Sequence, residues 1–63
     1  MTQLSEDLYN YLLDNREKKL TEIDCLNVAG ITLENAIPLL EELAAKGKIS
    51  LSHTYLHYDI TVN

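Results

Sequence analysis

The stretch Gly30-Ile31-Thr32-Leu33-Glu34-Asn35-Ala36-Ile37-Pro38-Leu39-Leu40-Glu41-Glu42-Leu43-Ala44-Ala45-Lys46-Gly47-Lys48-Ile49 decides how the chain reads. At about 100° per residue, Leu33, Ala36, Ile37, Leu39, Leu40, Leu43 and Ala44 fall on one arc. Glu34, Asn35, Pro38, Glu41, Glu42 and Ala45 fall on the other. The spacing predicts an amphipathic helix over about 33–46. Thr32 stands where an N-cap belongs, Gly47 where a left-handed C-cap residue belongs, and Lys48-Ile49 opens an extended run. Pro38 is discordant, because beyond the first turn it removes a backbone hydrogen bond, worth about 3 kcal/mol in a regular interior. A late helix start near Asn35, or an irregular first turn, is therefore expected.

Upstream, residues 3–15 read as a first helix with Leu4, Leu8, Tyr11 and Leu12 on one face. Thr2 or Ser5 can cap it, and Glu6 and Asp7 suit its first turn. Tyr9 and Leu13 form a second apolar stripe, to be covered either by the C-terminal strands or by a dimer partner. Asn15-Arg16-Glu17-Lys18-Lys19 is a polar link. A second helix is expected over 21–29, opened by a Thr21/Asp24 capping pair, with Ile23 and Leu26 inward and Val28 or Ala29 beside them. Ile31 is expected to plug the corner after Gly30. Residues 48–62 read as a β-hairpin, with Ile49 opposite Ile60, Leu51 opposite Tyr58 and the turn at His53-Thr54-Tyr55-Leu56. The fold class is thus α+β, mainly α: three helices followed by a C-terminal hairpin, in one domain spanning 1–63.

The 63 residues are few for an independent core, which makes dimerisation a natural supplement. A hydrophobic content of 46% excludes a disordered tail. No apolar run reaches membrane-spanning length, and Met1-Thr2-Gln3-Leu4 lacks a signal-peptide layout, so a cytoplasmic protein without membrane contact is expected. The single cysteine, Cys25, has no His or Cys at ligand spacing and reads as a core residue. His53, His57 and Asp59 are the nearest approach to a metal set. No nucleophile elbow or phosphate-cradling loop is present, so neither enzyme activity, nor a cofactor, nor a small-molecule ligand is expected.

The run Leu40-Glu41-Glu42-Leu43-Ala44-Ala45-Lys46-Gly47-Lys48-Ile49 resembles the end of the recognition helix and the first wing strand of winged helix-turn-helix domains, and the resemblance extends over about Leu4 to Val62. It implies either a DNA-binding regulator or a protein-interaction module in transcription or DNA processing. Major-groove readers would occupy the third-helix face, which here holds Glu34, Asn35, Pro38, Glu41 and Glu42. Only Asn35 suits base reading. Thr32, Lys46, Lys48, Lys18 and Lys19 are the candidates for phosphate contact.

With five basic against ten acidic residues, the net charge is −5, and phosphate affinity depends on Lys and Arg. Protein contact, as a homodimer or as an adaptor with Tyr9 and Leu13 at the interface, is therefore the first expectation. A DNA-binding regulator is the second. A viral or mobile-element inhibitor that mimics nucleic acid with its carboxylates is the third.

Overall fold

The computed structural model describes residues 2–63. Their order is α1 (Gln3–Asp14), β1 (Leu20–Thr21), a 3-10 segment (Glu22–Asn27), α2 (Leu33–Ala45), β2 (Ile49–His53) and β3 (Tyr58–Val62). Thr2 caps α1, its hydroxyl accepting from the Ser5 N–H at 3.2 Å. Ser5 is buried, and its own hydroxyl donates to the Thr2 carbonyl at 3.0 Å, so the polar group inside the first turn is satisfied. Leu8 and Leu12, one turn apart, are fully buried.

The expected three helices and C-terminal hairpin need correction at the centre of the chain. The sheet has three antiparallel strands in the order β1-β3-β2. Leu20 pairs with Ile60 and Thr21 with Asp59. Leu20 is apolar and buried, and Thr21 is β-branched, so this dipeptide suits a strand that the polar link before it hid from view. The expected second helix over 21–29 is shortened to a six-residue 3-10 segment. The capping pair is present, with Asp24 Oδ2 accepting the Thr21 N–H at 2.8 Å. The inward side chain is Cys25, however, while Ile23 and Leu26 are exposed. At three residues per turn, positions 23 and 26 eclipse one another and share a face, and Cys25 takes the inward one.

The late or irregular start expected for α2 is likewise overturned. The helix begins at Leu33 behind Thr32, with the Ala36 N–H on the Thr32 carbonyl at 2.9 Å and Asn35 Oδ1 accepting the Thr32 N–H at 2.7 Å. Pro38 lies inside the helix. Its ring is on the exposed face, as is Glu34, whose carbonyl loses its donor to the proline; water can take that acceptor. Leu33, placed on the apolar arc by its phase, is exposed because it precedes the point where the helix meets the core. Ala36, Leu40 and Leu43 are fully buried. At the C-terminus the Lys48 N–H bonds the Leu43 carbonyl and the Gly47 N–H the Ala44 carbonyl, each at 3.0 Å. This double closure needs a left-handed residue, and Gly47 has φ +74°.

The β2–β3 register also departs from expectation: Ile49 faces Val62, Leu51 faces Ile60, and His53 faces Tyr58. The offset is two residues, so the same side chains still share a face. The loop becomes Thr54–His57, closed by the Thr54 N–H and hydroxyl on the His57 carbonyl at 2.8 and 2.9 Å. Leu8, Leu12, Leu20, Cys25, Ile31, Ala36, Leu40, Leu43, Ile49 and Ile60 form one core drawn from every element.

Candidate interaction surface

α2 presents Glu34, Pro38 and Glu41 to solvent, with Asn35 and Glu42 half-buried. Asn35 is occupied on both sides of its amide: Oδ1 holds the Thr32 N–H and Nδ2 donates to the Gly30 carbonyl at 3.1 Å. The residue best suited to read a base is therefore spent on capping its own helix. Thr32 is exposed beside it.

The cations do not gather on this face. Lys46 Nζ lies 3.6 Å from Glu42 Oε2, one turn back, at a distance too long for a direct hydrogen bond. Lys48 Nζ sits 5.4 Å from the centroid of the Tyr9 ring, within cation–π range. Tyr9 is consequently half-buried by its own chain, and Leu13 is also half-buried. Arg16, Lys18 and Lys19 are exposed in the α1–β1 link, and the Arg16 guanidinium donates to the Leu13 carbonyl at 2.7 Å. Lys18 and Lys19 thus lie on a different element from Lys46 and Lys48.

Five large apolar side chains are exposed among the described residues. Ile23 (57% exposed) and Leu26 (38%) lie on the 3-10 segment and Leu33 (61%) at the start of α2, two elements that pack against each other. Sequence periodicity placed all three inward; Ile23 and Leu26 share a face at either helical period, so their spacing carries no signal for the opposite reading. A second pair, Tyr55 (94%) and Leu56 (82%), tops the β2–β3 loop. Glu22, which carried no sequence signal, accepts the Tyr58 N–H and so ties the 3-10 segment to β3.

The histidines part company. His53 stacks on Tyr58 with ring centroids 4.6 Å apart, whereas His57 Nε2 is 3.1 Å from Asp59 Oδ1. Among the described residues no group of three or more His, Cys, Asp and Glu side chains converges as a metal set would. Cys25 is buried, and its thiol is pushed up from 9.0 to about 12 by burial, with Asp24 and Glu22 adding to the shift. A thiol held neutral in this way is a poor nucleophile and a poor ligand. An open depression beside Gln3, Glu6, Tyr9 and Asn10 is lined from α1 alone.

No family model, curated protein or solved structure matches the chain. No helix among the described residues is long and apolar enough to cross a membrane.

Proposed function

We propose that this domain works by protein contact, docking a partner whose surface sets Lys and Arg around an apolar centre. The observation that carries this reading is the outward side of α2 and the 3-10 segment. Leu33, Ile23 and Leu26 are exposed there, Glu34 and Glu41 flank them on α2, and Lys46 is already paired with Glu42. Exposed apolar groups beside uncompensated carboxylates suit a basic protein surface: burial supplies affinity and charge supplies orientation. The same face is repulsive to a phosphate backbone, which disfavours the DNA-binding reading.

The experiment pairs two measurements. Partner capture from the source cell uses the parent domain and a variant carrying Leu33→Asp, Glu34→Lys and Glu41→Lys. A titration with duplex DNA is run at low salt. The expected result is a basic protein bound by the parent, released by salt and lost with the variant, with no DNA complex. A tight DNA complex whose affinity falls steeply with salt, and which the variant strengthens, would overturn the reading.

A further inference from the structure

The two edges of the sheet are finished differently. Along β2–β3, the Asn63 N–H donates to the Lys48 carbonyl at 3.1 Å and the Thr54 N–H to the His57 carbonyl at 2.8 Å. Ser50 facing Thr61 and Ser52 facing Asp59 lie between them on the same alternation. Bonded and non-bonded pairs alternate in an antiparallel ladder, so the peptide groups of Ile49, Leu51 and His53 point away from β3. Ile49 is buried, but Leu51 is half-buried and His53 exposed. On the far side, β1 pairs with Ile60, and the next outward N–H, that of Tyr58, is taken by Glu22. Among the described residues, one edge is closed by a carboxylate and the other is open at Leu51 and His53.

The open edge lacks the usual protections, since residues 49–53 contain no Lys, no Pro and no bulge. From Ile49 to Tyr58 there is no Asp, Glu, Lys or Arg, although the chain carries −5. Two copies repel each other over most of their surface, and this uncharged strand and loop are where they can approach.

We infer that β2 pairs antiparallel with β2 of a second copy, joining two three-stranded sheets into one, with the twofold axis at Ser52. In that register Leu51 of each copy exchanges hydrogen bonds with His53 of the other, and Ser52 faces Ser52 as a non-bonded pair. The loop Thr54–His57 of each copy then lies beside the start of the second copy's β2. Tyr55 and Leu56, the most exposed large apolar side chains among the described residues, are covered there.

The test is the mass of the whole chain in solution, by sedimentation equilibrium, against concentration and salt. A dimer is expected, tightening as salt screens the repulsion between two −5 copies. Ser52→Glu places like charges face to face across the axis and is expected to weaken association by more than roughly tenfold. Because Asp59 faces this position within the same chain, Ser52→Lys, which repels across the axis but not within the sheet, is the variant expected to retain the thermal melt of the monomer. A mixture of Ser52→Glu and Ser52→Lys is expected to associate more tightly than either alone. If a charged variant does not fold, Ser52→Cys reads the same register, because facing non-bonded residues have a Cα separation of about 4.5 Å, within disulfide reach. A monomer at millimolar parent protein overturns the inference. So does association that survives Ser52→Glu but is lost in Leu13→Glu, which moves the interface to α1.

Discussion

Two helical segments of this molecule open on the same local device and end differently. At Thr21 and at Thr32, the side chain three residues on, Asp24 or Asn35, accepts the N–H of the threonine. After Thr32 the chain runs as an α-helix of 13 residues; after Thr21 it makes only six residues of 3-10 helix. The difference lies in the residues beyond the cap. α2 has Ala36, Leu40 and Leu43 at helical spacing, all fully buried. The 3-10 segment has one buried residue, Cys25, and is held at its start by β1 and by the Glu22 tie to Tyr58. A cap begins a helical turn, whereas burial of a repeating face sustains it.

The comparison breaks first at Leu40. Leu40→Ala empties the centre of the core and is expected to cost about 2–5 kcal/mol, much of what so small a domain holds. Chemical denaturation checks this, and a melt within a degree or two of the parent would mean that the α2 face is not what sustains the helix. Pro38→Ala should act in the opposite sense. It restores a donor to the Glu34 carbonyl and is expected to add stability, up to about 3 kcal/mol.

The 3-10 segment can be probed through its one buried residue. Below pH 9 the Cys25 thiol is neutral in both the folded and the unfolded chain. Above that, the unfolded chain ionises first, because the folded thiol is pushed up to about 12. Stability tied to this group is therefore present below pH 9 and lost as pH rises towards about 12. The advantage of the parent over Cys25→Ala in thermal melts should narrow over that window and stay constant below it.

The caps themselves are smaller levers. Asn35→Ala and Asp24→Ala should each cost about 1 kcal/mol. If they differ widely, the two boxes are not equivalent and the comparison starts from a false premise. Least of all, Ile23→Ser should change stability by less than about 0.5 kcal/mol, since that side chain is 57% exposed and does not enter the core. A larger loss would place it inside.

These contrasts also show what the residues alone disclosed. The buried arc of α2 from Ala36 onward, its Gly47 limit, the burial of Cys25 and the Ile31 corner were legible because each rests on local spacing or backbone conformation; the Thr32 start was not, because Pro38 argued for a later one. β1 was not, because two residues carry no periodicity and their partner lies some forty positions away. The register of β2 against β3 slipped by two for a related reason: either register keeps the apolar side chains on one face, so the loop decides between them. At the interaction surface the carboxylates of α2 were legible and the exposed apolar group was not. At a period of 3.6 or of three, Ile23 and Leu26 share a face, so spacing alone does not say whether that face is inward, and Leu33 lies ahead of the point where α2 meets the core.

Pro38 also divides α2 in time. A proline carries no amide hydrogen, and it leaves one rung missing between the turn near Thr32 and the rungs that begin at Leu39. Hydrogen exchange should therefore resolve two tiers within a single unbroken helix. The amides of Ala36 and Ile37 belong to the short stretch ahead of the gap, where Ala36 is the one fully buried side chain, and exchange through fraying of the first turn. Those of Leu40 and Leu43 are anchored in the core and exchange only when the whole domain opens. The exposed Leu33 and Glu34 sit in the faster tier, so the outward side of the first turn can adjust while the core beneath it stays closed.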